Sequence, residues 1–124
     1  MSIQLHKPNY VIIYVSDMER SVSFYRDVLG LPMKFTSPGW TEFDTGTTTV
    51  ALHRALNEKQ SQEVQRSTPG LAQLGFIIDD LQAAYEALKA QDVPFSLPPQ
   101  KQPSGITLAI LHDPDGLGIT LQQR

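Results

Sequence analysis

The feature that most constrains how this chain can fold is an internal repeat. Residues 10–18, YVIIYVSDM, and residues 73–81, QLGFIIDDL, are each an apolar run that breaks into a short polar step before a helix start, and they lie about half a chain apart. Ser16 is followed three residues on by Glu19, and Asp79 by Gln82, the spacing at which two side chains satisfy free backbone N–H groups at a helix N-terminus. Met18, Val22, Tyr25 and Val28/Leu29 then recur at helical spacing, as do Leu81, Tyr85 and Leu88, so each helix should bury one face. Gly30 stands where a left-handed residue ends the first helix, and Asp92-Val93-Pro94 closes the second.

Three β-rich stretches follow each helix: Met33–Thr36, Trp40–Thr45 and Thr48–Arg54 in the first copy, then Phe95–Gln100, Ile106–His112 and Gly118–Gln122. Each copy therefore reads β-α-β-β-β, an α+β pattern. Asp113-Pro114-Asp115-Gly116 has the residues of a type I turn and joins the last two strands tightly, with Asp44-Thr45-Gly46 as its weaker counterpart. Module one spans about residues 6–54 and module two about 71–124. The polar stretch 55–70 between them, ending in Ser67-Thr68-Pro69-Gly70, reads as a connector inside one domain. Its length leaves open a helical turn, a lid or a strand exchange between subunits.

Composition narrows the partners. With 40% hydrophobic and 19% charged residues over 124 positions, the chain has material for one folded core. Ten Lys+Arg against thirteen Asp+Glu give a net charge of −3, which argues against nucleic acid or anionic lipid as a partner. A small molecule or another protein is the natural one. No cysteine is present, so thiolate metal ligands, disulfides and Cys nucleophiles are all excluded. The start, MSIQLHKPNY, lacks a leader pattern, and no apolar run is long enough to cross a bilayer, so a cytoplasmic protein is expected.

The stretch YVSDMERSVSFYRDVLGL (residues 14–31) and, one unit later, HDPDGLGITLQ (112–122) together resemble the vicinal oxygen chelate superfamily of glyoxalase I, bleomycin-resistance proteins and extradiol dioxygenases. The resemblance covers nearly the whole chain. It implies two βαβββ modules forming curled mixed sheets around a cleft, helices outside, and a homodimer. In metal-dependent members, residues on the first and last strands of the modules hold a divalent ion that chelates two neighbouring substrate oxygens. Carried over, those positions fall on Tyr10, on Gln73, on Thr120, and on either Ala51 or His53. That set has no carboxylate and at best one imidazole, whereas open divalent sites are built from His nitrogen and carboxylate oxygen. Tyr10 would bind only as phenolate, with an ordinary pKa near ~10. No resident cofactor is therefore expected, a divalent metal being the alternative.

Other candidates come from strand alternation. Tyr10, Ile12 and Tyr14 share one face of the first strand, which should look into the cleft, while Val11, Ile13 and Val15 face the helices. Tyr10 and Tyr14 then suit a pocket for a flat or amphipathic ligand, or bond to backbone as ordinary buried tyrosines. Trp40, the only tryptophan, alternates with Glu42 and Asp44, a pattern compatible with a cationic or aromatic ligand or with a dimer rim. His53 shares a face with Thr49 and Ala51; His112 reads as structural, and His6 has no visible partner. Asp113 and Asp115 are explained by their turn. The leading expectation is a metal-free small-molecule-binding protein whose cleft is lined or rimmed by Tyr10, Tyr14, Trp40, His53, Gln73 and Thr120. The alternative is a lyase or isomerase resembling glyoxalase I, with an atypical metal site or with His53, Tyr10 or Glu42 as acid and base. A structural partner protein, its cleft filled by its own side chains, is a third reading.

Overall fold

A computed structural model of the chain describes residue 3, residues 8–55, residue 69 and residues 71–123. The expectations for His6 and for nearly all of the connector lie outside the described residues. The chain divides into two compact units, residues 1–61 and 62–124, each carrying one copy of the repeat.

In the first unit, β1 (Tyr10–Val15), α1 (Met18–Ser23), β2 (Met33–Thr36), β3 (Trp40–Asp44) and β4 (Thr49–Arg54) build an open sheet of order β1-β4-β3-β2. The second unit repeats it with β5 (Leu74–Ile77), α2 (Leu81–Ala90), β6 (Phe95–Lys101), β7 (Thr107–His112) and β8 (Gly118–Gln123), in the order β5-β8-β7-β6. In both sheets the first strand pairs in parallel with the last and the remaining pairs are antiparallel, so both are mixed, as the repeat implies. The chain is thus α+β, with two βαβββ modules.

Alternation decides which sheet face is covered. Ile13, Val15, Thr41, Phe43, Val50 and Leu52 are buried on one side of the first sheet, while Tyr10, Ile12 and Tyr14 are 43–51% exposed on the other. The covered side packs against Met18, Val22 and Tyr25, whose ring meets Phe24 at 5.3 Å and Phe43 at 6.1 Å between centroids. Thr41 is buried without being orphaned, because its hydroxyl bonds Thr36 Oγ1 at 2.8 Å and reaches Met18 Sδ at 3.3 Å. In the second unit α2 packs on β6, β7 and β8 through Leu81 and Leu88, against Leu111, Ile119 and Leu121. Pro98 and Pro99 are accommodated in β6 because it is an edge strand, and its register shifts there.

Both helix starts lie one residue later than the sequence suggests. The first N-cap is Asp17, whose Oδ1 accepts from Arg20 N at 3.1 Å, and Ser16 instead accepts from the Arg20 guanidinium at 2.9 Å. The second is Asp80, accepting from Ala83 N at 3.0 Å. An aspartate reaches the same N–H as a serine and adds a charge favourable to the helix dipole, so in Ser-Asp and Asp-Asp pairs the residue directly before the helix takes the cap. The shift moves Glu19 and Gln82 out of capping-box position; Gln82 bonds Glu86 at 3.2 Å, and Leu81 N donates to Gln123 Oε1 at 2.6 Å.

The first helix widens into a π-helical turn over Phe24–Val28, with Leu29 N bonded to Phe24 O. The extra residue turns Phe24 and Tyr25 inward together, leaving Val28 and Leu29 half-buried rather than central to the stripe. Gly30 ends it at φ 77°, and Asp92 does the same for α2 at φ 60°. The Asp113–Gly116 turn closes as expected: Gly116 N bonds Asp113 O, and Asp113 Oδ1 accepts from Asp115 N at 2.9 Å and Leu117 N at 2.8 Å. Asp44 Oδ1 takes Gly46 N in the corresponding place.

Candidate functional site

The open face of the first sheet is a grid set by its register. Tyr14, His53 and Trp40 form one row across β1, β4 and β3; Ile12, Ala51 and Glu42 form the next; Tyr10, Thr49 and Asp44 form the third. Ala51, at the centre, carries only a methyl group. The long side chains of the outer rows lean over it, so that Tyr10 and Trp40 meet with ring centroids 6.2 Å apart despite belonging to different rows. His53 lies edge-on to Tyr14 at 5.2 Å and to Trp40 at 5.8 Å.

Glu42 sits beneath this aromatic cover with its side chain 16% exposed. Trp40 Nε1 donates to Oε2 at 2.8 Å, the Tyr10 hydroxyl makes a longer contact to the same oxygen at 3.4 Å, and Lys34 Nζ stands 3.4 Å from Oε1. The Trp40 hydrogen bond, resisted by burial and assisted by Lys34 and Tyr10, holds the Glu42 carboxyl below its ordinary pKa. That is the opposite of the upward shift a general base would need, and it makes Glu42 a fixed anion. His53 Nδ1 lies 2.8 Å from Arg54 O; a carbonyl only accepts, so Nδ1 is the donor in this contact.

The structure therefore brings five sequence-predicted residues, Tyr10, Tyr14, Trp40, Glu42 and His53, onto one face of the first unit. Gln73 and Thr120 belong to the second unit, Gln73 exposed just before β5 and Thr120 half-buried on β8. Register answers the open alignment: Gly75 pairs with Thr120 as Ile12 pairs with Ala51, so Ala51 is the counterpart of Thr120. The metal fit then fails at these positions on donor chemistry. Ala51 has no donor atom, and the Tyr10 hydroxyl is directed at Glu42 Oε2. Among the described residues no three or more His, Asp or Glu side chains come together as a metal cluster.

Sequence reasoning missed Lys34. It lies where the β2–β3 register shifts between Met33 and Phe35, so simple alternation does not say which way it points; it also reaches Thr49 Oγ1 at 3.4 Å. On the helix side of the same unit, an open groove of about 960 Å³ runs between α1 and the β2–β3 turn, lined by residues including Ser16, Met18, Thr36, Ser37 and Arg54. Its charged residues, Asp17 and Glu19 with Arg26 and Arg54, are of mixed sign, and none of the sequence-predicted site residues lines it. The aromatic face, and not this groove, is where the sequence-predicted residues of the first unit gather.

A family model for the Glyoxalase/Bleomycin resistance protein/Dioxygenase superfamily matches residues 7–121. An uncharacterized protein of Bacillus subtilis (strain 168), YraH, is 30% identical over 111 residues, 83% of this chain and 87% of that protein. Among solved structures, a superfamily member from Sphaerobacter thermophilus is 26% identical with a TM-score of 0.74, covering 97% of this chain and 98% of its own. A lactoylglutathione lyase from Agrobacterium tumefaciens shares the fold at 21% identity and a TM-score of 0.69, covering 93% of this chain and 91% of its own.

Proposed function

Because the chain belongs to the Glyoxalase/Bleomycin resistance protein/Dioxygenase superfamily, whose members bind small molecules, we propose that it binds a flat organic molecule carrying a positive charge or an N–H donor, on the open face of the first sheet and without a resident metal. One observation carries this reading: a carboxylate held at 2.8 Å by Trp40 Nε1 under a cover of half-exposed aromatic rings. Tyr10, Tyr14 and Trp40 supply stacking area, and His53 extends it. Oε2 of Glu42 already accepts from Trp40 and Tyr10, whereas Oε1, among the described residues, faces the Lys34 ammonium alone at 3.4 Å and keeps a second lone pair to offer a ligand.

The low proton affinity of Glu42 favours binding over acid–base catalysis, which would fall to His53 in a lyase or isomerase. We also infer a cytoplasmic homodimer, in which a second copy covers exposed apolar residues such as Phe35 and Ile77. Trp40 is the only tryptophan, so its fluorescence reports on the site directly. Benzamidine should quench it saturably, benzoate should not, and Glu42→Gln should weaken the benzamidine response. Equal quenching by cation and anion, or a response unchanged in Glu42→Gln, overturns the reading.

A further inference from the structure

The open face of the second sheet holds a buried imidazole, His112, with one ring nitrogen unpaired among the described residues. His112 pairs with Gly118 across β7 and β8, and Leu74 pairs with Ile119 across β5 and β8, which places Gln73 beside Gly118. Gln73, Gly118 and His112 therefore form one row over three strands. Their neighbours Leu74, Ile119 and Leu111 are buried in the core, so the row faces the opposite, open side. Strand spacing separates the outer two backbones by roughly 10 Å. Gly118 leaves the space between them empty of its own side chain, and the Gln73 carboxamide lies in it. A Cβ at position 118 would stand 2.7 Å from Gln73 Nε2 and 3.0 Å from Cδ.

His112 is 5% exposed, and its Nδ1 lies 3.1 Å from Gly116 O. That carbonyl fixes the proton on Nδ1, as a backbone carbonyl does for many ligand-binding histidines, so the neutral ring bears its lone pair on Nε2. Nε2 is buried and has no hydrogen-bond partner among the described residues. An oriented buried acceptor without a donor is unfavourable, and the polar side chains that share this face of the sheet, Gln73 in the same row and Thr120 two residues along β8, are an uncharged amide and a hydroxyl.

We propose that His112 Nε2 and the Gln73 carboxamide form a second binding subsite, for a neutral carboxamide-type group such as an amide, lactam or ureide. The ligand N–H donates to His112 Nε2 and its C=O accepts from Gln73 Nε2. The Gln73 carboxamide lies over Gly118 in the ligand-free protein and swings off it to admit the group. The subsite is independent of the Glu42 face and does not require that reading.

The test is a long-range proton–nitrogen spectrum of the histidine rings in the full chain, with His112 assigned in a variant lacking His6 and His53. The ring should show the Nδ1–H tautomer. Titration with 2-pyrrolidinone should move the Nε2 resonance saturably, whereas N-methyl-2-pyrrolidone, which lacks the donor, should not. Gln73→Ala should weaken the pyrrolidinone response about tenfold while keeping the tautomer. Gly118→Ala, whose Cβ displaces the carboxamide while leaving both Gln73 and His112 in the chain, should weaken it similarly. An Nε2–H tautomer, an Nε2 resonance that ignores pyrrolidinone because only water occupies the site, or an equal response to both lactams overturns the proposal.

Discussion

Ala51→Leu tests whether the small residue at the centre of the first sheet is what lets the aromatic cover close over Glu42. Ala51 is fully buried, and its cross-strand neighbours are Ile12 and Glu42. The Tyr10 and Trp40 rings above it are 6.2 Å apart between centroids. Two carbon atoms in contact need about 3.5–4 Å, so an isobutyl group cannot enter that gap without parting the rings. Overpacking of this kind costs roughly 1–3 kcal/mol. In a chain of this length that corresponds to a fall in Tm of roughly 3–12 °C, at about 3–4 °C per kcal/mol. Urea unfolding gives the stability, and Trp40 emission gives the state of the cover, which should shift to the red as the indole leaves Glu42. Ala51→Gly, which removes only a methyl group, should leave the emission in place. Wild-type stability with unshifted emission in Ala51→Leu would refute the reasoning, because the rings would then have been apart already.

Three further perturbations separate local causes. Trp40→Phe removes the main donor to Glu42, so its carboxyl should titrate higher; because a depressed carboxylate pKa adds stability above the unfolded value of about 4.3 that is lost as pH falls through the folded pKa, the acid-side fall in stability should be shallower, read by urea unfolding from pH 6 downward. Asp80→Ala should cost about 1 kcal/mol and Asp79→Ala close to nothing in the same assay, since only Asp80 accepts from Ala83 N. Gly30→Ala should destabilise by about 1 kcal/mol at φ 77°, whereas Asp92→Gly at φ 60° should stabilise by several tenths, which thermal unfolding resolves.

The architecture was legible because each level of the chain repeats it. The β1 alternation separates Val15 from Tyr14 correctly, the Asp-Pro-Asp-Gly turn closes on its own backbone, and Gly30 takes the left-handed conformation its position calls for. The caps were misplaced by one residue because Ser16-Asp17 and Asp79-Asp80 each offer two chemically competent neighbours. The π-helical turn had no signature, since it follows from packing both Phe24 and Tyr25 inward. At the candidate site, alternation sufficed to put Tyr10 and Tyr14, or Trp40 and Glu42, on one strand face. It could not put the strands in register, and so gave no sign that Ala51 is the gap in which Tyr10 and Trp40 meet. Lys34 was hidden by the register shift at its own strand. His112 was read as structural on its turn; its Nδ1 contact agrees with that, while the free Nε2 depends on a carbonyl four residues ahead and a glycine on the next strand.

The most direct measurement follows the single indole N–H resonance of Trp40 while benzamidine is added to the full chain. Its hydrogen bond to Glu42 at 2.8 Å makes that proton the reporter of the carboxylate on which the proposed ligand binding depends. We expect a downfield resonance in the free protein that moves saturably with benzamidine and loses its response in Glu42→Gln. A resonance at the position of a water-exposed indole, unmoved by benzamidine, would contradict the assignment of this face as the binding site.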